Sequence, residues 1–188
     1  MEENLLAFKP DKWVGNYADA LYAYTITRVK DVQQAEDIVQ NTFLSAWKAR
    51  DTYKGQASEK NWLYAICKNK IIDHFRKHAA DMVNLSSKEE DMYFDQGDHW
   101  TGDAAPKAWS VHFQQPVESK EFYAILDQCK QKLKDIQQAV FVMKYMEDTD
   151  SEEICKVLGI TTSNYWVLIH RAKLHLRKCL EKNWIGIH

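Results

Sequence analysis

Residues 158–180 read LGITTSNYWVLIHRAKLHLRKCL, a short turn followed by a basic helical stretch. Gly159 supplies a sharp turn, because glycine adopts left-handed backbone conformations without a steric cost. Apolar positions then recur at spacings of four, three and four and share one helix face: Tyr165, Ile169, Ala172 and Leu176. The pattern predicts a helix with one side packed on a core and the other side exposed.

The segment before this turn, SEEICKVL at 151–158, predicts a second helix. Three apolar residues of this helix would face the core: Ile154, Val157 and Leu158. Two registers of a capping box remain open at its start: Asp150 with Glu153, or Thr149 with Glu152.

Two helices joined by a glycine turn, the second capped by Thr or Ser, form a helix-turn-helix arrangement. Its exposed side would face the major groove of duplex DNA, and its basic tail would meet the phosphates. The predicted contacts are Ser163, Asn164, Val167, His170 and Arg171 toward the bases, with Lys173 and Lys178 toward phosphate. A plain αα-hairpin fits the same pattern.

Residues 60–77 read KNWLYAICKNKIIDHFRK and predict another basic helix. Its core stripe consists of Leu63, Cys67, Ile71 and Phe75. The opposite face carries Ala65, Asn69, Ile72 and Arg76. The loop before this helix adds Tyr53, Lys54, Gly55 and Gln56, and Ser58 is placed to cap it. Aromatic, amide and cationic side chains together suit an unstacked single strand. The alternative is a solvated basic helix with Trp62 and Tyr64 in the core.

A third helical stretch, DVQQAEDIVQNTFLSAW at 31–47, has Asp31 as its expected N-cap. One polar, acidic face of this stretch consists of Asp31, Gln34, Asp37 and Asn41. The face could dock a basic partner helix, or it could simply be solvated.

The whole chain of 188 residues favours helices over strands. Six Gly and three Pro are few for a turn-rich β fold, and no strand alternation is present. We predict an all-α fold of two helical domains, 1–78 and 119–188, joined by an acidic linker at 79–118. The linker holds aromatic residues expected to pack on this chain or on a partner: Tyr93, Phe94, Trp100, Trp109 and Phe113.

Charge is segregated along the chain, although the formal net charge is only −2. Residues 59–78 and residues 168–182 each carry five lysine or arginine side chains, against two acidic residues and one respectively. Residues 86–103 carry six acidic residues against one lysine. Since exposed charges more than ~10 Å apart are largely screened, a partner meets these local fields rather than the total.

Several classes of protein are disfavoured by what the sequence lacks. No apolar run reaches the ~18 residues of a membrane span, and the acidic start MEENLLAFKPDKW does not resemble a signal peptide. We therefore expect a cytoplasmic protein without a membrane segment. There is no HExxH spacing and no Gly-rich phosphate loop. We expect no enzyme activity, no cofactor and no metal.

The four cysteines lie far apart in the chain and form no CxxC pair. They are Cys67, Cys129, Cys155 and Cys179. We expect small buried apolar residues at these positions rather than a zinc or redox cluster.

Residues 35–77 resemble region two of the bacterial extracytoplasmic-function (ECF) sigma factors. That family runs AEDxVQxTFxxAW, then a short glycine loop, then WLYxIAxNxxxDxxR; this chain has AEDIVQNTFLSAW, Gly55 and WLYAICKNKIIDHFR. Residues 152–184, EEICKVLGITTSNYWVLIHRAKLHLRKCLEKNW, resemble region four. The two halves occur in the family's order and cover nearly the whole chain.

The resemblance implies a subunit that gives RNA polymerase its promoter specificity. Region two would dock on the β′ clamp coiled coil of core polymerase through Gln34, Asp37, Gln40 and Asn41. It would melt the minus-ten element through Tyr53, Lys54, Gly55, Gln56, Tyr64, Lys68, Asn69, Arg76 and Lys77, at a cost in unstacking of a few kcal/mol for a flipped base. Region four would contact the β flap and read the minus-thirty-five element. A cognate anti-sigma factor is implied as a further partner.

One departure from the family lies in the predicted recognition helix. The family often has Lys or Arg, then Ser, then Arg at the positions of Trp166, Val167 and Leu168. This chain therefore lacks two cations there, and the linker is long for the class.

Two other functions remain as alternatives. A stand-alone helix-turn-helix regulator with an N-terminal sensor domain would dimerise and bind duplex DNA tightly without polymerase, but it leaves the block at 62–76 unexplained. A pure interaction module that keeps the fold without promoter function is favoured only by the missing cations at 166 and 168. An enzyme is the least favoured class.

Overall fold

The structure is a computed structural model that describes residues 9–85 and 116–185. Within these two ranges every regular element is helical, so the all-α prediction is confirmed. The chain divides into two compact units. The first holds the residues up to His78 together with Met146–Asp148, and the second holds the remainder. The linker aromatics from Tyr93 to Phe113 lie outside the described residues.

The first unit is built on three α-helices, preceded and interrupted by short 3-10 turns. The helices are α1, Trp13–Ile26, α2, Val32–Ala49, and α3, Glu59–Leu85. The 3-10 turns are Pro10–Lys12 and Arg50–Thr52. The third helix thus continues seven residues beyond position 78, the predicted end of the first domain.

Helices α2 and α3 begin where their capping residues predict. The side chain of Asp31 accepts a hydrogen bond from the backbone N–H of Gln34 at 2.9 Å. The hydroxyl of Ser58 accepts one from the backbone N–H of Asn61 at 3.2 Å. Gly55, in the loop between these helices, has a left-handed φ of 68°. Each cap satisfies an N–H group that has no partner within its helix.

The core of the first unit includes the predicted stripe of α3. Leu63, Cys67 and Ile71 are fully buried, and Phe75 is 2% exposed. Two buried threonines sit among the apolar residues, and each hydroxyl donates to a carbonyl four residues back in its own helix: Thr25 to Leu21 and Thr42 to Ile38. Burial raises the pKa of the Cys67 thiol, which stays protonated in this core.

The three residues Met146–Asp148 belong to the first unit because Glu147 is bound there. Its carboxylate forms an ion pair with Arg28 and accepts a hydrogen bond from the hydroxyl of Tyr24, whose oxygen lies 2.8 Å from both carboxylate oxygens. Its backbone carbonyl accepts a hydrogen bond from the ammonium of Lys68. The Glu147 side chain is only 1% exposed, so these partners compensate for its loss of hydration. Burial, with the bond to Glu147, raises the pKa of Tyr24.

The second unit contains four α-helices and a closing turn. The helices are α4, Pro116–Gln131, α5, Asp135–Tyr145, α6, Ser151–Leu158, and α7, Thr162–Leu180; a π-helical turn, Glu181–Ile185, follows them. The apolar residues predicted to pack inward are buried on both helices of the helix-turn-helix: Ile154, Val157 and Leu158 on α6, and Tyr165, Ile169, Ala172 and Leu176 on α7.

The turn between α6 and α7 has the backbone that the sequence predicts. Gly159 follows α6 in the left-handed conformation, with φ 64°. The hydroxyl of Thr161 caps α7 by accepting a hydrogen bond from the N–H of Asn164 at 3.2 Å. At the start of α6, Asp150 occupies the N-cap position, but its side chain makes no capping hydrogen bond. The capping box predicted there is therefore absent in either register.

The expectation that all four cysteines are plain buried residues was wrong for two of them. Cys129 and Cys179 are joined in a disulfide, with their Cα atoms 5.8 Å apart, while Cys67 and Cys155 are free. The two bonded residues are 50 positions apart in sequence, so no local spacing reveals the pair. Packing of α4 against α7 brings them together, in a cluster with Leu133, Ala172 and Leu176.

The described residues contain neither a membrane-spanning helix nor a metal-binding cluster. None of their helices combines the length and the apolar character that crossing a membrane needs. In the same part of the chain, no group of three or more His, Cys, Asp or Glu side chains is placed to hold a metal ion.

Candidate nucleic-acid interface

The exposed side of α7 carries the residues that we predicted to contact duplex DNA. Ser163, Val167 and His170 are exposed and recur at helical spacing, so they share one side of the helix. Asn164 and Arg171 lie beside them and are half-buried. The predicted base contacts therefore lie together on the exposed side of α7, with Val167 as an apolar residue among polar ones.

The predicted phosphate contacts extend this surface along α7. Lys173 and Lys178 are both exposed. The ammonium of Lys173 lies 5.2 Å from the centroid of the Tyr145 ring, a distance at which a cation–π contact helps to orient it. Burial, together with nearby lysine and arginine charges, lowers the pKa of His175 in this basic part of the helix.

The three residues that depart from the family pattern differ in their surroundings. Leu168 is 1% exposed and belongs to the core, so no cation could occupy that position without a buried charge. Trp166 and Val167 are 60% and 42% exposed. At Trp166 and Val167 the surface of α7 is therefore more apolar than the family's residues would make it. Leu168 does not contribute to this surface, because it is buried.

The predicted single-strand face of α3 is exposed at its two polar positions. Asn69 and Arg76 are seven residues apart, or about two helical turns, and lie on the same side of the helix. The guanidinium of Arg76 forms an ion pair of 2.6 Å with Asp73 one turn earlier. Lys77 is exposed too, but it is offset by about 100° from Arg76 and lines a cavity with Asp37 and Asn41 of α2, so it lies off this face.

The loop before α3 holds one aromatic side chain in a defined position. The Tyr53 ring lies 5.2 Å from the ring of Trp62, which in turn lies 5.7 Å from the ring of Trp13. The hydroxyl of Tyr53 donates to the backbone carbonyl of Ala57 within the loop. Tyr53 is half-buried against these rings, while Lys54 and Gln56 are exposed.

Two residues predicted for the same site lie on a different side of α3. Tyr64 packs edge-on against the Tyr24 ring at 5.0 Å, and Lys68 is bound to the carbonyl of Glu147. Residues 68 and 69 are separated by about 100° around a helix. The structure thus brings Asn69 and Arg76 together and does not bring Tyr64 and Lys68 onto their face.

The polar face of α2 is exposed as the sequence predicts. Its predicted polymerase contacts are all solvent-accessible: Gln34, Asp37, Gln40 and Asn41. The amide of Asn41 donates to the backbone carbonyl of Asp37 at 2.8 Å. The other side of α2 is buried at Ala35, Ile38 and Val39, which leaves the polar residues facing outward.

Sequence reasoning missed two apolar residues on this side of α2. Leu44 is 58% exposed and Trp47 is 50% exposed. Both continue the helical spacing of Asp37 and Gln40, which is the signal that could have identified them. The guanidinium of Arg50 lies 4.7 Å from the centroid of the Trp47 ring and holds it against the helix end.

Comparison with known proteins matches both units to one family. The family model for Sigma-70 region 2 matches residues 13–80, and the model for Sigma-70 region 4 matches residues 123–176. A probable RNA polymerase sigma factor of Haemophilus influenzae is 35% identical over 158 residues, 82% of this chain and 81% of that protein. The ECF RNA polymerase sigma factor SigW of Bacillus subtilis is 30% identical over 169 residues, 88% and 85% of the two chains.

The chain belongs to the ECF RNA polymerase sigma factors. In this sigma factor the region-two match covers α1, α2 and most of α3, and the region-four match runs from within α4 into α7. The family assignment accounts for the block at 62–76, which a stand-alone regulator left unexplained. A sigma factor binds core RNA polymerase and directs it to promoters, so the exposed faces above belong to a transcription initiation factor.

Among solved structures, the sigma factor RpoE of Bartonella quintana, crystallised with the anti-sigma factor NepR, overlaps 92% of this sigma factor. The overlap covers 97% of that chain, at 17% sequence identity and a TM-score of 0.42.

Proposed function

We propose that the sigma factor recognises two promoter elements with two separate faces, a single-stranded element with α3 and a duplex element with α7. The observation that carries this proposal is the pair of exposed polar faces, each backed by a buried face of its own unit. A buried stripe holds each helix in place, so its polar side chains are presented in a fixed orientation.

The single-strand site consists of the face formed by Asn69 and Arg76 and of the loop at Tyr53–Gln56. Arg76 would contact the backbone of the melted strand, and the loop would receive an unstacked base of the minus-ten element. Tyr64 and Lys68 act here by supporting α3 rather than by contacting the strand, because both are engaged by neighbouring side chains or backbone.

The duplex site consists of the exposed side of α7. Ser163, Val167 and His170 would reach base edges of the minus-thirty-five element, while Lys173 and Lys178 would contact phosphates. The exposed Val167 offers an apolar group to a thymine methyl, the one major-groove feature that an apolar side chain recognises. Readout at the middle of α7 would then be apolar rather than cationic.

Core polymerase would bind the exposed side of α2. The charged and amide residues Asp37, Gln40 and Asn41 would meet the β′ clamp coiled coil. Leu44 and Trp47 would add apolar contact area, since buried tryptophan contributes strongly at protein interfaces. Region four would meet the β flap.

The cellular setting follows from this role. The sigma factor would act in the cytoplasm, where core polymerase is present, without a catalytic site of its own. An anti-sigma factor would control it by covering the faces that polymerase and promoter require. The low net charge would limit nonspecific binding to DNA, whose affinity rises with the number of phosphates contacted.

Run-off transcription with bacterial core polymerase tests the proposal. The double variant Asn69→Ala/Arg76→Ala should bind core polymerase normally but open a minus-ten promoter at least tenfold less efficiently. A matched control is Lys12→Ala/Asn16→Ala, which removes an exposed cation and an exposed amide from the start of the first unit. If both double variants initiated equally well, the single-strand site would be wrongly assigned.

The duplex site needs a separate measurement. Lys173→Ala should weaken transcription from promoters that depend on the minus-thirty-five element and should reduce the salt dependence of promoter binding by about one phosphate contact. Lys120→Ala removes an equally exposed lysine from α4 and should leave both unchanged. An unaltered salt dependence in Lys173→Ala would contradict the assignment.

A further inference from the structure

The Cys129–Cys179 pair lies in a basic cleft of the second unit that shares only Lys178 with the proposed promoter contacts. Cys129 is near the end of α4 and is 2% exposed, whereas Cys179 is near the end of α7 and is half-buried. Both sulfur-bearing residues line a cavity of about 230 Å³, together with Lys132, Lys178 and Lys182. A small solute entering this cavity would meet the sulfur atoms and three ammonium groups.

The Cys179 sulfur has polar and cationic neighbours. The side-chain amide of Asn183 donates to this sulfur at 3.3 Å, and it also donates to the Cys179 backbone carbonyl at 2.7 Å. Three lysines line the same cavity, and positive charge near a sulfur atom assists its reaction as a nucleophile. Cys129, in contrast, is buried and packs among apolar side chains.

The geometry of the pair fits the oxidised state. The Cα atoms lie 5.8 Å apart, within the range that a disulfide bridges. Leu133, Ala172 and Leu176 pack around the bonded pair.

We propose that Cys179 and Cys129 form a reversible redox modification site that reacts with hydroperoxides. The Cys179 thiolate attacks a hydroperoxide oxygen, the O–O bond breaks, and Cys179 becomes a sulfenic acid as the alcohol leaves with a proton. The Cys129 thiol then attacks the Cys179 sulfur, and the S–OH oxygen departs as water with the Cys129 proton. The two thiols lose two electrons in total, and the hydroperoxide gains them.

Reduction reverses the modification. A dithiol reductant of the thioredoxin class supplies two electrons and two protons, restores both thiols and becomes a disulfide itself. This inference rests on the proposed function in one respect: a factor that works beside polymerase in a reducing compartment holds a disulfide only transiently, as redox-sensing proteins do.

Oxidation would act on the stability of region four. The disulfide links the ends of α4 and α7 across 50 residues, which include α5, α6 and most of the recognition helix. Closing a loop of this length restricts the unfolded chain strongly. The oxidised sigma factor would therefore keep its minus-thirty-five reader folded under conditions in which the reduced form begins to open.

The test uses the full-length sigma factor, reduced with a dithiol and then treated with one equivalent of hydrogen peroxide. Alkylation after unfolding should count four thiols before treatment and two after it, and a dithiol should restore four. Cys155→Ser is the matched control: it should lose the same two thiols. In Cys129→Ser, a sulfenic acid should accumulate on Cys179 and be trapped by dimedone, whereas Cys179→Ser should form neither product.

A second readout connects the chemistry to the fold. Oxidation should raise the unfolding midpoint of the second unit by roughly 10 °C in the parent protein and in Cys155→Ser, but not in Cys129→Ser. The proposal is overturned if peroxide leaves the pair reduced, if Cys67 or Cys155 oxidises as fast, or if a dithiol cannot reduce the native disulfide. None of these assays contains polymerase, so a failure to bind core would refute the proposed function without altering them.

Discussion

Trp13 and Glu59 are hydrogen-bonded to each other, the indole Nε1 donating to the Glu59 carboxylate at 2.5 Å. The other carboxylate oxygen accepts a hydrogen bond of 3.1 Å from the hydroxyl of Tyr17. The backbone N–H of Lys9 donates to Glu59 as well, at 2.9 Å. One acidic side chain in the first turn of α3 thus binds the beginning of α1 and the segment before α1 through three hydrogen bonds.

Replacing Glu59 should loosen the first unit selectively. Glu59→Ala leaves the buried Trp13 indole without its acceptor, and hydrogen bonds to a charged group contribute about 1.5–3 kcal/mol each. Native-state hydrogen exchange should show faster exchange of the amides of α1, with those of α5 to α7 unchanged. Glu121→Ala, at an exposed glutamate of α4, serves as the control. Unaltered exchange in α1 would show that this carboxylate does not fasten the helix.

Two glycines allow a matched test of backbone conformation. Gly159→Ala should destabilise the second unit by about 1–2 kcal/mol, because the position has φ 64° and a left-handed conformation disfavours any Cβ. Gly15→Ala should stabilise the first unit by roughly 0.5–1 kcal/mol, since Gly15 lies inside α1. An added Cβ meets nothing within 4 Å at either site, so packing does not contribute. Equal effects of the same sign, measured by hydrogen exchange in each unit, would contradict this explanation.

The exposed apolar residues of α2 should contribute to polymerase binding. Trp47→Ala should weaken binding to core polymerase at least tenfold, because a buried tryptophan at an interface often contributes 2 kcal/mol or more. Val14→Ala is the control, since Val14 is a similarly exposed apolar residue (61%) on another helix, α1. Equilibrium binding of fluorescent sigma factor to core polymerase measures both. Equal affinities for the two variants would remove Trp47 from the interface.

Acidification should destabilise the first unit through His74. Burial, with the charges of His78 and Lys77, lowers the pKa of His74 to about 4, against an ordinary value of 6.5. The unfolded chain therefore binds the proton more readily, so this contribution to stability is complete above pH 6.5 and is lost as the pH falls toward 4. Between pH 7 and pH 5 the loss should be about 1–2 kcal/mol.

Urea unfolding at the two pH values measures this effect. The variant His74→Gln should have a smaller loss of stability on acidification than the parent protein, because glutamine does not titrate. His170→Gln, at an exposed position of α7, should keep the parent's dependence. A parent-like pH dependence in His74→Gln would assign the acid sensitivity to other groups.

The helices and their ends could be predicted because the interactions that set them are local. The Asp31, Ser58 and Thr161 caps each bind a backbone N–H three residues later. The stripe of Leu63, Cys67, Ile71 and Phe75 is buried because a helix repeats every 3.6 residues. Such patterns also carried the family resemblance, so fold class and general function were evident from the chain alone.

Which residues of α3 and α7 belong to the proposed interfaces depended on contacts between residues far apart in sequence. Lys68 donates to a backbone carbonyl 79 residues away, and Tyr64 packs against the Tyr24 ring. The local sequence pattern shows neither contact, so it could not indicate that these two residues lie off the face of Asn69. Leu168 proved to be a core residue because of what packs against α7.

The cysteines show the same division between local and distant effects. Sequence spacing predicted buried thiols, and Cys67 is one. Only the packing of α4 on α7 decided that Cys129 and Cys179 meet, since 50 residues separate them. The sequence by itself determined which residues form helices and which side of each helix is apolar, because short-range hydrogen bonding and periodicity suffice for that. The tertiary structure decided which exposed positions on each helix are engaged by other parts of the chain, and which distant residues engage them.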